Sequence, residues 1–197
     1  MQDFVFYIQL GLEHVLDFSA YDHILFLTAL VIPFTFKSWQ KVLVLATIFT
    51  LTHCLSLALS TYNVFTVDVS LIEFLIPVTI FFTAVFNILY VNAKIDRKSV
   101  LLHGLATAFF GLIHGFGFSN YFKMLMAEEE DKVTPLLGFA TGIEISQLII
   151  VLAGLLLAYV VQTMAKIKQP LYIIIASVIV LLITIPLLIA VLPLACL

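Results

Sequence analysis

Lys41-Val-Leu-Val-Leu-Ala-Thr-Ile-Phe-Thr-Leu-Thr-His53-Cys-Leu-Ser-Leu-Ala-Leu-Ser60 has no Asp, Glu or Arg and no lysine after its first residue, yet it carries an imidazole two-thirds of the way along. About 20 consecutive apolar residues is the length that crosses a hydrocarbon core. An ionisable group at that depth costs several kcal/mol unless it pairs, lines a wet cavity or binds an ion. The stretch therefore predicts a membrane helix whose polar residue faces a functional interior. The same pattern recurs: all five histidines, His14, His23, His53, His103 and His114, lie within or at the mouths of apolar runs.

Composition agrees. The chain is 63% hydrophobic and 11% charged, where soluble domains carry about 25% charged residues. Its 197 residues suit a single all-α transmembrane domain, 1–197, with the lipid bilayer as its first partner. A net charge of −3 without a basic patch argues against a nucleic-acid partner. Cys54 and Cys196 form no CxxC motif, and their positions disfavour a shared disulfide. Met1-Gln2-Asp3 lacks the basic start of a secretory signal, so the N-terminus is expected to be retained.

Apolar runs predict a bundle of six to seven spans: 22–36, 41–60, 69–91, 100–118, 135–163 and 171–195, with 4–17 as a short further candidate. Pro33, Pro77 and Pro186 fall inside spans, which membrane helices tolerate. Lys37 and Lys41, then Lys94, Arg97 and Lys98, then Lys166 and Lys168 alternate with the Lys/Arg-free loop 61–68 and with 119–134, which holds Glu128, Glu129, Glu130 and Asp131. The basic loops are expected to be cytoplasmic, with the acidic loop and the C-terminus outside. Seven spans would place the N-terminus inside; six would place it outside.

In that orientation His14, Asp17, Asp22, His23, His53, His114 and Glu144 converge on the outer half of the membrane. Imidazole and carboxylate are ligands of divalent transition metals, so these seven form the expected metal site. His14 and Asp17 are i,i+3 neighbours, as are Glu144 and Gln147. Thr52 and Ser56 flank His53 and are expected to hydrogen-bond its second nitrogen or to line a polar pathway. His103 precedes His114 on the same face, about 16 Å deeper, which suits a second site or a step along a path. Gln147, Thr52 and His103 are thus pathway or supporting residues. Gly111-Leu-Ile-His114-Gly115 and Gly138-Phe-Ala-Thr-Gly142 are GxxxG patterns, which allow close helix approach. They are expected to bring His114 near Glu144, or to pair two copies of the chain. Simpler readings stand beside these: Asp22 as a helix cap, Asn87 as a bridge between helices, Glu13 and Glu73 as interfacial residues.

Gly11-Leu-Glu-His14 with Tyr21-Asp22-His23-Ile-Leu-Phe-Leu resembles the N-terminal signature of the HupE/UreJ family of small membrane proteins. Phe110-Gly-Leu-Ile-His114-Gly-Phe-Gly117-Phe and Phe139-Ala-Thr-Gly-Ile-Glu144-Ile-Ser-Gln147 resemble two later signatures, in the same order along the chain. The resemblance implies a nickel or cobalt permease in a bacterial inner (plasma) membrane. It also implies that His14, Asp22 and His23 recognise the metal, with His114 and Glu144 further along the path. Transport of a divalent metal is the leading expectation. The alternative is an intramembrane zinc hydrolase, with His23, His53 and His114 on the metal, Asp22 or Glu144 as general base and Ser56 as auxiliary.

Overall fold

The structure is a computed structural model that describes residues 2–92, 97–127 and 129–192; the side chains at 2–3 and 97–100 lie outside that description. Lys94, Glu128 and Cys196, and the side chains of Arg97 and Lys98, are therefore outside the described residues. Seven α-helices are described: α1 (Gln2–Leu16), α2 (Asp22–Val31), α3 (Trp39–Thr61), α4 (Val69–Leu89), α5 (Arg97–Leu125), α6 (Val133–Thr163) and α7 (Gln169–Val191). A short 3-10 turn, Phe36–Ser38, precedes α3. The chain is an all-helical integral membrane protein. Five helices, α3 to α7, are long and apolar enough to cross a membrane.

The expected span 22–36 and the short further candidate 4–17 form α2 and α1, which follow one another along α6 as one discontinuous stretch. A methyl group added at Gly138 would crowd Phe4 and Tyr7 at 2.9 Å, and one at Gly142 would crowd Leu12 at 2.9 Å. Ser146 Oγ donates to the Leu12 carbonyl at 3.2 Å. Further along, a methyl at Gly154 would meet Val31 at 3.2 Å, and the Phe36 and Tyr159 rings lie 6.3 Å apart. Residues Phe4 to Phe36 thus follow α6 in one direction from Gly138 to Tyr159, without turning back. With 15 residues α1 is about 22 Å long, and with 10 residues α2 is about 15 Å. Neither covers a core of about 30 Å, but the two in succession do. α2 finishes toward the basic-loop end, and α1 starts at the end that carries the acidic loop. There Tyr7 donates to Glu129 at 3.3 Å.

The span expected to reach residue 36 stops at Val31 because Pro33 has no N–H to give the Ala29 carbonyl. Asn87 of α4 fills that vacancy, its Nδ2 donating to Ala29 O at 2.7 Å. At the other extreme, α5 runs on to Leu125, well beyond the expected limit at 118, and takes up the first part of the expected loop. Asp68 begins α4 by accepting from Ser70 N at 2.9 Å and Ser70 Oγ at 2.5 Å. Asp131 does the same for α6 through Thr134 Oγ1 at 2.5 Å and Val133 N at 2.9 Å. Ser70 and Thr134 hold these two exposed carboxyls below the ordinary carboxylate range.

Both GxxxG faces are filled within the chain, which corrects two expectations. Gly111 and Gly115 receive α3: an added methyl would overlap Phe49 and Thr52 at the first, His53 and Ser56 at the second. Gly138 and Gly142 receive α1. The glycines therefore neither join α5 to α6 nor stay open to a second copy. They let α3 and α5 run in close parallel contact, which sets His53 and His114 at one depth.

Candidate metal centre

Four histidines from four helices meet at the break in the first span. His14 ends α1, His23 begins α2, His53 lies in α3 and His114 in α5. His14, His23 and His53 each present a ring nitrogen within 4.8 Å of the other two. His114 joins through His23, their ring centroids 5.3 Å apart. Three nitrogens on one ion at about 2.1 Å are at most about 3.6 Å from one another, so the three need to draw in by roughly an ångström. His23, His53 and His114 are 3%, 0% and 1% exposed, and the Nε2 of every one of the four histidines is buried without a protein partner.

The second nitrogens explain that arrangement. His114 Nδ1 lies 2.9 Å from the Phe110 carbonyl oxygen, an acceptor that fixes the proton on Nδ1 and leaves the Nε2 lone pair free. Asp22 Oδ1, 3.3 Å from His23 Nδ1, does the same for His23 and also accepts the His23 backbone N–H at 3.0 Å. On His53 neither nitrogen has a protein partner. Aromatic rings close the surroundings: Phe118 lies 4.0 Å from His14, and Phe139 stacks on Phe118 at 5.3 Å. Phe49 sits 5.9 Å from His53 and 5.3 Å from His114. Three buried imidazoles and a partly buried fourth in such a shell are poorly solvated at their Nε2 atoms, and a cation would satisfy those orphaned nitrogens.

The helix ends around the cluster add to this. The C-terminal end of α1 carries partial negative charge beside His14, which favours a cation there. The positive N-terminal end of α2 is balanced by Asp22 in its first turn. Discontinuous membrane helices place binding sites at such breaks because the unpaired ends supply field and donors together.

The other expected site residues fall elsewhere. Asp17 is exposed in the connection after α1, where its carboxylate accepts Ser19 N–H at 2.7 Å, so the anticipated helical pairing with His14 does not form. Glu144 turns to α3 and takes hydroxyls from Thr47 at 2.7 Å and Thr50 at 2.5 Å. Thr52 and Ser56 do not reach a His53 nitrogen. Thr52 Oγ1 donates to the Ile48 and Phe49 carbonyls, and Ser56 Oγ to the His53 carbonyl at 2.8 Å, the usual return bond of a hydroxyl within a helix. Gln147 is fully buried, and neither atom of its amide has a partner. His103 lies at the basic-loop end, 5.9 Å from the Phe34 ring. Thr47 and Thr50 were the unforeseen members, although Thr47, Thr50 and His53 form a visible polar stripe at three-residue spacing.

A family model described as HupE / UreJ protein matches residues 1–190. No curated protein and no solved structure matches the chain.

Proposed function

Because the chain belongs to the HupE/UreJ family, we propose that it carries a divalent transition-metal ion of the nickel or cobalt class across the membrane, binding it at His14, His23, His53 and His114. One observation carries the reading: four buried Nε2 atoms without protein partners, supplied by four helices at the break of a discontinuous span. Neutral imidazoles replace the ion's hydration shell without adding charge, so the site binds firmly enough to desolvate the ion yet can release it. Asp22 is the positioning residue that orients His23. Glu144, held between Thr47 and Thr50, forms a separate polar station on the α3–α6 contact.

The hydrolase reading ranks second. It keeps the zinc-type ligand set, but its three supporting side chains are turned to other tasks: Asp22 to His23, Glu144 to Thr47 and Thr50, Ser56 to the His53 carbonyl. The deciding experiment is metal analysis of protein purified in mild detergent without chelator, with uptake by reconstituted vesicles measured alongside. Weak, reversible nickel or cobalt binding with vesicle uptake, both lost in His23→Ala/His114→Ala, supports transport. About one zinc per chain that survives purification, without uptake, supports the hydrolase or a purely structural site.

A further inference from the structure

Beneath the imidazole cluster lies one aromatic layer. Phe26, fully buried, stacks on Phe49 at 5.0 Å, meets the edge of Phe110 at 5.7 Å and lies 5.2 Å from His114. The other side of the same two rings, Phe26 and Phe110, lines a cavity of about 130 Å³ that reaches Thr83, Asn87, His103 and Thr107. Asn87 and His103 also line a cavity of about 610 Å³ at the basic-loop end, together with Thr35, Asn92 and Gln169. Two rings thus separate the metal centre from a chain of cavities leading to that end, and His103 borders both of them.

We infer that the ion leaves the imidazole cluster between Phe26 and Phe110 and is received at His103, a second station for the same class of divalent transition-metal ion. The inference rests on the transport reading above. The chemistry of each step is present: a neutral imidazole above, an apolar constriction that excludes water while closed, and an imidazole below. The mechanics follow from α2. His23 and Phe26 are three residues apart on one 10-residue helix, so whatever tilts α2 when His23 takes or releases an ion also moves a gate ring. The upper half of the span, α1, is a separate helix linked to α2 through the connection 17–21, and it packs chiefly on α6.

The test uses the full chain with nickel or cobalt alone as probe. Equilibrium binding is measured in detergent, and uptake in vesicles that contain a metal-sensitive dye. Wild type is expected to bind at two classes of site, and His103→Ala to lose the weaker class while the stronger keeps its affinity within about twofold. Uptake by His103→Ala should fall about tenfold. Phe110→Ala should raise uptake and Phe110→Trp lower it, with cluster affinity unchanged in both. Should His103→Ala not fold, the two Phe110 variants decide. Wild-type uptake that none of these substitutions alters overturns the route and leaves transport standing. Wild-type binding without any uptake overturns the transport reading itself.

Discussion

His23 turns Nδ1 toward Asp22 Oδ1 at 3.3 Å and leaves Nε2 buried with no protein partner. The carboxylate fixes the tautomer and the ring plane, so its removal should weaken the metal site without dismantling it. Asp22→Asn is expected to lower nickel or cobalt affinity about 10–100-fold, while His23→Ala abolishes binding. Isothermal titration of the detergent-solubilised protein measures both. Equal losses would mean that Asp22 is itself a ligand.

Asp17 separates sequence proximity from geometry. It is near His14 in the chain but spends its carboxylate on Ser19 N–H. Asp17→Ala should keep metal affinity within about twofold of wild type, because only a local turn is lost. The same titration reads the outcome, and a larger drop would place Asp17 at the site.

Asn87 and Pro33 should prove coupled. Asn87→Ala strips the Ala29 carbonyl of its donor at a cost of about 1–3 kcal/mol. Pro33→Ala restores a backbone N–H in register for that carbonyl. The double substitution should therefore cost less than the sum of its parts, by about 0.5–3 kcal/mol in a double-mutant cycle of thermal or denaturant unfolding. Strict additivity would show that the carbonyl does not link the two residues.

Among the glycines, the direction of the effect should depend on the neighbour. Gly115→Ala and Gly142→Ala each drive a methyl into backbone of the adjoining helix and should destabilise by about 1–3 kcal/mol or more. Gly104→Ala meets only Ile48 Cδ1 at 3.6 Å, an ordinary contact, and gains helix propensity of up to about 1 kcal/mol. Melting temperatures in one detergent should rank Gly104→Ala at or above wild type and the other two below it.

Acid should unfasten two helix starts. Folding lowers the carboxyls of Asp68 and Asp131, so their contribution to stability is complete above the ordinary value near 4 and drains away as pH falls through it toward the lowered values. Thermal unfolding between about pH 6 and about pH 3 should show a falling midpoint for wild type. The slope should be shallower for Asp68→Asn/Asp131→Asn, which cannot titrate at those positions.

Much of this architecture is legible in the chain itself. Long apolar runs mark α3 to α7, and histidines stranded in or beside such runs mark the imidazole cluster. What escaped is tertiary. Whether 4–17 crosses beside 22–36 stays open in the sequence because hydropathy records length and not direction; the approach of Gly138, Gly142 and Gly154 to Phe4, Leu12 and Val31 lays the two runs end to end along α6. Glu144 looked like a ligand because it shares a depth with the histidines, but depth does not specify rotation about α6, and Thr47 and Thr50 claim its oxygens. The hydroxyls of Thr52 and Ser56 sit beside His53 in sequence yet bond to their own helix, an alternative open to any helical Ser or Thr.

The connection 17–21 has a consequence for how such a site can vary. His14 is anchored by the packing of α1 on α6, and His23 by that of α2 on α4 and α6; no helical periodicity runs between them. The number of residues separating the two histidines is therefore a spacer length and not a helical repeat. Residues can be inserted or deleted within 17–21 with both imidazoles left in place, so a motif search that demands fixed spacing between His14 and His23 would pass over proteins built to the same plan.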